Sequence, residues 1–202
     1  METLSERYID EIASGLIEHH AAVLVGAGFS RNADTANDSV TEMMPLWGKL
    51  TDMFCDRLGI AESERKYMST LAIAQQMAET FGRPCLDNTI KSAMNDEVYV
   101  PSDIHRALVS LHWTDIFTTN YDTLLERACV DITDRKYHIV RNQDDLIYSA
   151  GLPRIIKLHG SFPSNGPFII TEEDFREYPH DHAPFVNTVQ QSMLENTFCL
   201  IG

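Results

Sequence analysis

Ala21-Ala22-Val23-Leu24-Val25-Gly26-Ala27-Gly28-Phe29-Ser30 is a run of five apolar residues broken off by a glycine-containing turn. An apolar run with no polar alternation is the signature of a strand covered on both faces, the normal situation in a parallel sheet. Such a sheet needs helices on either side, and the surrounding sequence supplies them. Upstream, Leu4, Tyr8, Ile12 and Leu16 recur at near-helical intervals and predict a leading amphipathic helix through His19. Downstream, the polar stretch from Arg31 to Thr41 reads as a loop.

From Pro45 to Val98 the pattern is helical. Leu46, Leu50, Phe54 and Leu58 share one face, and Leu71, Ala74, Met77, Ala78 and Phe81 share another. Ile104, Leu108 and Leu111 predict a further helix after Pro101. Asp115 to Thr119 then reads as a second short strand, followed by the turn Asn120-Tyr121-Asp122 and a helix carrying Leu124, Leu125 and Ala128. Ile155 to Leu158 predicts a third strand and Phe168-Ile169-Ile170 a fourth. Thr171-Glu172-Glu173-Asp174 looks like a capping box opening a helix, and Thr197 to Ile201 is a last apolar run closed by Gly202. Short apolar strands alternating with helices imply an α/β, Rossmann-like architecture: a mainly parallel sheet with helices on both faces and a helical insertion between the first two strands.

Composition narrows the function. Apolar residues at 44% and charged residues at 23% suit a folded core within 202 residues. The formal net charge of −14 argues against direct nucleic-acid binding, which leans on Lys and Arg. Cys55, Cys85, Cys129 and Cys199 are far apart, so no Cys-x-x-Cys pair exists for a zinc ribbon or a redox motif. The acidic N-terminus is unlike a signal peptide and no segment has the length of a membrane span, so the chain reads as cytoplasmic with free thiols.

In open parallel sheets, ligands bind beyond the carboxyl ends of the strands. Three segments put non-core residues immediately after a buried strand: Gly26 to Ser30, Thr119 to Asp122, and His159 to Ser161. Gly26 and Gly28 let the backbone turn tightly and approach a diphosphate, although Arg31 stands where the usual dinucleotide fingerprint has its third glycine. A plain strand-to-helix turn explains this segment equally well. Asn120 and Asp122 suit a structural turn, and Asn120 also suits holding a water or a ribose hydroxyl. His159 has the chemistry of a base near neutral pH, or is a satisfied polar residue at a strand end. His180-Asp181-His182 hints at a metal, but no third ligand is evident and a surface loop explains it.

Taken together, the Gly26–Ser30, Thr118–Asp122 and Lys157–Ser161 segments resemble the NAD site of sirtuins, most closely the bacterial sirtuin-like NAD hydrolases of phage defence. Pro45-Leu46-Trp47, Ile104 to Leu108 and Ile170 to Tyr178 add to the resemblance. It implies a single NAD-binding catalytic domain over residues 1–202, with a helical insertion at about 45–112, in a chain ending just before a further nucleotide-contacting loop.

The resemblance also implies that NAD is the substrate, with no metal, and is cleaved to nicotinamide and ADP-ribose. By the same token Gly26, Ala27, Gly28, Phe29, Ser30, Thr119 and Asp122 would bind NAD. Asn120 would orient the attacking water, His159 would be the general base, and Asp122 would chiefly hold its loop in shape. Control would come from a C-terminal sensor domain or a partner (argonaute-like, an ATPase or a phage protein), and homo-oligomers are common in such proteins. Two other functions are open: a sensor that binds NAD or an ADP-ribose derivative without cleaving it, and a protein deacylase, which the missing cysteine pairs disfavour.

Overall fold

The computed structural model describes residues 4–36, 42–163 and 167–202. At its centre are five strands, all parallel: β1 (Ala21–Val25), β4 (Asp115–Thr118), β5 (His138–Val140), β6 (Arg154–Lys157) and β7 (Thr197–Ile201), in spatial order β5-β6-β4-β1-β7. This is the Rossmann-like α/β architecture expected from the alternation of apolar strands and helices. The strands are short and, apart from the edge strands, largely buried, as the apolar runs require. Val23, Val25, Ile116 and Ile155 turn to one face, where they meet Leu108, Val109, Leu125 and Ala128 from helices α7 (Asp103–Ser110) and α8 (Leu124–Ala128). The leading helix α1 (Leu4–Ile17) joins this face through Ile12 and Leu16. Ala22, Phe117 and Ile156 turn to the other face, against Leu146 of α9 (Gln143–Tyr148) and Phe185 of α11 (Ala183–Glu195).

A second core lies beside the sheet. Helices α3 (Trp47–Leu58), α5 (Thr70–Phe81) and α6 (Arg83–Met94), with the short α4 (Glu62–Arg65), come between β1 and β4 in sequence. Their buried Leu50, Phe54, Ile73, Met77, Leu86 and Ile90 pack with Tyr121, Phe162, Phe168 and Ile170 from the loops at the carboxyl edge of the sheet. The helical cluster is therefore fastened to the loop end of the sheet, where a ligand would bind.

Three expectations need correction. Phe168-Ile169-Ile170 is buried but is not a strand. Its backbone groups are satisfied one at a time: Ile169 N–H donates to the His159 carbonyl (3.0 Å), the Ile169 carbonyl accepts from the Tyr121 hydroxyl (2.9 Å), and Ile170 N–H donates to Asp174 (2.9 Å). A buried apolar triplet satisfied by side chains has the same composition as a ladder strand, so sequence cannot separate them. Within the expected loop from Arg31 to Thr41, Asp34–Thr35 (β2) pairs antiparallel with Tyr99–Val100 (β3), a two-residue ribbon with no sequence signal; residues 37–41 lie outside the described residues. His180 and Asp181 form the last turn of α10 (Glu172–Asp181), and His182 caps α11, so this segment is helical rather than a loop. α10 opens with the expected capping box, Thr171 accepting from Asp174 N–H while Asp174 accepts from Thr171 N–H.

Among the described residues, no helix is long and apolar enough to cross a membrane.

Candidate functional site

The ladder register aligns the three loops. Val25 pairs with Thr118 on one side and Ile201 on the other, and Thr118 pairs with Lys157. Carried on from there, Gly26, Thr119, Leu158 and Gly202 leave the sheet at one level, with Asn120 and His159 one step beyond. β4 lies on one side of β1 and β7 on the other, so the order in which strands are added switches sides at β1, the kind of switch point where such sheets form a crevice.

The turn after β1 leads into the four-residue helix α2 (Ala27–Ser30). Gly26 is required here by packing, since a Cβ on it would collide with the Gly202 carbonyl oxygen. Gly202 itself has φ +80, and a Cβ there would meet Phe29 N at 2.7 Å. The two backbones approach as closely as only glycine permits. Phe29 turns its ring into the core, edge-on to His105 at 4.9 Å, and its N–H donates to the Gly26 carbonyl. The N–H groups of Ala27 and Gly28 make no hydrogen bond among the described residues and are the donors this turn leaves open.

Ser30, Asn120 and Asp122, all buried, form one network. The Ser30 hydroxyl donates to Asp122 Oδ2 (2.7 Å) and accepts from Asn120 Nδ2 (2.8 Å), which also donates to the Gly26 carbonyl (3.0 Å). Asp122 Oδ1 accepts from Leu124 N–H at 3.1 Å. Thr118 Oγ1 ties the strands together, donating to the Val25 carbonyl and accepting from Asn120 N–H. The Asn120 amide is thereby fixed by its nitrogen while its Oδ1 stays buried without a partner. An orphaned buried acceptor is costly, so it marks a place where a donor is expected to bind.

Ala27, Ser30, Thr119, Asn120 and Asp122 line a small cavity closed by Met44, Pro45, Trp47 and Leu50. About 20 Å³ in volume, it holds little more than a water.

His159 is not bonded into this network. Its ring lies edge-on to Phe175 (5.2 Å) and Tyr178 (5.7 Å) of α10, with Nδ1 buried and without a partner. Burial, and secondarily the nearby His182, push its pKa down to about 4, so the imidazole is neutral at pH 7. The structure therefore brings Gly26, Ser30, Asn120 and Asp122 into hydrogen-bonded contact, while His159 follows the neighbouring strand β6 with its ring packed against α10. Lys157, part of the third segment but given no role by the sequence, is buried beneath the Asn120 loop; a lysine directly after Ile155-Ile156 was the available signal.

His180 lies exposed at the end of α10, with Nδ1 2.8 Å from Asp181, while His182 stacks on Tyr178 at 4.6 Å. No group of three or more metal-ligating side chains is assembled among the described residues.

Comparison with known proteins bears out the sirtuin-like resemblance. A family model described as SIR2-like domain matches residues 114–202, a span containing both Asn120 and His159. The chain is similar to the NAD(+) hydrolase ThsA of Acinetobacter baumannii (28% identical over 200 residues, 96% of this chain and 38% of that protein). It is also similar to the NAD(+) hydrolase ThsA of Bacillus cereus (21%, covering 100% of this chain and 40% of that protein). A third relative is the Defense-associated sirtuin 2 of Bacillus subtilis (23%, 96% of this chain and 19% of that protein). The chain thus spans about two fifths of the length of the first two relatives and about a fifth of the third.

Proposed function

We propose that this chain is the catalytic domain of a defence-associated NAD glycohydrolase, which splits NAD into nicotinamide and ADP-ribose and depletes the cytoplasmic pool. One observation carries the proposal: Asn120 holds an unpartnered amide oxygen at the sheet's switch point, beside a glycine turn with open N–H groups. The names of the relatives, NAD(+) hydrolases and a defence-associated sirtuin, support the same chemistry.

In this mechanism the turn from Gly26 to Ser30 receives the diphosphate and adjoining ribose, with Ala27 and Gly28 N–H as donors and Phe29 as packing beneath. Thr119 contributes to the wall. Asn120 Oδ1 accepts from the attacking water or a ribose hydroxyl. The C–N glycosidic bond breaks with its electron pair going to the nicotinamide ring nitrogen, so the leaving group departs neutral and needs no strong acid. Water adds to the resulting oxocarbenium-like carbon and its proton passes to His159. Asp122 holds the loop, and no metal takes part.

NAD does not fit a cavity of about 20 Å³, so binding displaces the wall around Met44 to Trp47, at the start of the helical insertion. We attribute this control to a sensor region or partner protein acting on the domain, and homo-oligomers are compatible with it.

The test is nicotinamide release from NAD by the full-length protein, with and without a candidate activator. His159→Ala should lower the rate at least about a hundredfold, the usual contribution of a positioned base, and Asn120→Ala should lower it too, the histidine variant keeping a cooperative melting transition. A folded, fully active His159→Ala protein would remove the assignment. Tight NAD binding without cleavage by the activated parent would favour the sensor function instead.

A further inference from the structure

Lys157 ends β6, a strand covered on both faces, and its side chain is 1% exposed. Burying an ammonium group is costly unless it is well paired, and methionine would fill the same volume without the penalty. Its partners suggest why lysine stands there. Nζ donates to the backbone carbonyl of Asp122 and lies 3.4 Å from Glu126 Oε1. That oxygen also takes the Ser161 hydroxyl at 3.5 Å and lies 3.8 Å from Arg141, while Oε2 is buried without a partner.

The Asp122 carbonyl belongs to the loop that builds the candidate site. From Asp122 the path continues through its carboxylate to Ser30 (2.7 Å) and from Ser30 to Asn120 Nδ2 (2.8 Å), ending at the amide whose Oδ1 is unpartnered. The far end of the loop is anchored separately, since Thr123 donates its N–H (2.9 Å) and hydroxyl (2.6 Å) to Asp96. Tyr121 is held as well, its carbonyl accepting from Phe162 N–H and its hydroxyl donating to the Ile169 carbonyl (both 2.9 Å), so loss of Lys157 would leave the loop attached and slacken it at the Asp122 carbonyl.

We propose that Lys157, clamped by Glu126, is a positioning residue: it braces the Asn120–Asp122 turn from the sheet side and fixes the direction in which Asn120 Oδ1 points. The bracing stands on the geometry alone; only its effect on turnover rests on the proposed NAD cleavage.

The test compares the full-length protein with the double variant Lys157→Met/Glu126→Gln, which removes both buried charges together and leaves neither uncompensated. Two readouts are followed: steady-state NAD cleavage, and hydrogen exchange of the amides from Asn120 to Leu124. The expected result is a folded protein whose kcat falls at least about tenfold while KM changes by less than about threefold, because the geometry of the reacting complex is altered more than ground-state binding. Loop amides should exchange at least about tenfold faster, with β1 and β4 unchanged. Glu126→Gln alone, which keeps Lys157 but slackens its clamp, should move both readouts in the same direction by less.

Parental loop protection in either folded variant overturns the proposal, as does parental kcat in an active protein. If the parent releases no nicotinamide under any condition, the NAD hydrolase function fails and loop exchange alone decides the role of Lys157. If the double variant does not fold, Glu126→Gln decides it.

Discussion

His159 sits in an aromatic slot that withholds the water an imidazolium needs. Its pKa near 4, against an ordinary 6.5, has a consequence for stability. The unfolded chain takes up a proton below pH 6.5 that the folded chain refuses until about pH 4. Its contribution is therefore fully present above 6.5 and is lost as pH falls through 4. His105, buried against Phe29, is shifted in the same direction, mainly by desolvation. Melting temperature should accordingly decline between pH 6.5 and 4, and His159→Phe should flatten that decline. A variant with the parental slope would show that the ring is more open to solvent than its contacts imply. At this scale the sequence identified the residue types at the site. It could not show that Asn120 would be tied by its nitrogen and left with a free oxygen, because that depends on Ser30 and Gly26, 90 and 94 positions away.

Elements with a strong pattern were legible. β1, β4, β6 and β7 are apolar runs bounded by turns, and the helices of the 45–98 region repeat their apolar residues at helical spacing. β5 was not legible, since three residues between Lys136-Tyr137 and Arg141 carry too little pattern, and it is a strand only because β6 offers an edge. The start of α3 is the element that closes the candidate cavity, with Trp47 on its wall. Trp113, the other tryptophan, is 2% exposed and donates its indole N–H to the Leu108 carbonyl, away from the site. Ligand entry should therefore perturb only Trp47. Saturating NAD added to the His159→Ala protein, which cannot consume it, should change the tryptophan fluorescence, and Trp47→Phe should abolish that change. A signal that survives Trp47→Phe would place NAD elsewhere.

For the whole molecule, acidity is the dominant electrostatic fact. A net charge of −14 on 202 residues repels itself in the compact state, and the exposed ion pairs, such as Arg106–Asp103 and Arg176–Glu173, offset little of it. Raising NaCl from about 10 mM to about 300 mM shortens the screening length several-fold and should raise the melting temperature by a few degrees. A fall would mean that screening of the exposed attractive pairs outweighs relief of the repulsion, since the buried pairs, Arg154 forked on Asp115 and Lys157 on Glu126, are largely shielded from salt.

The sequence by itself determined the parallel α/β class and the three strand-end segments, because apolar periodicity and turn residues are local properties of the chain. Tertiary structure alone decided strand order, the Gly26–Gly202 contact, the Ser30–Asn120–Asp122 network and the burial of His159 and Lys157. Each of these joins residues far apart in the chain, and their meeting is fixed by which strands pair and in what register.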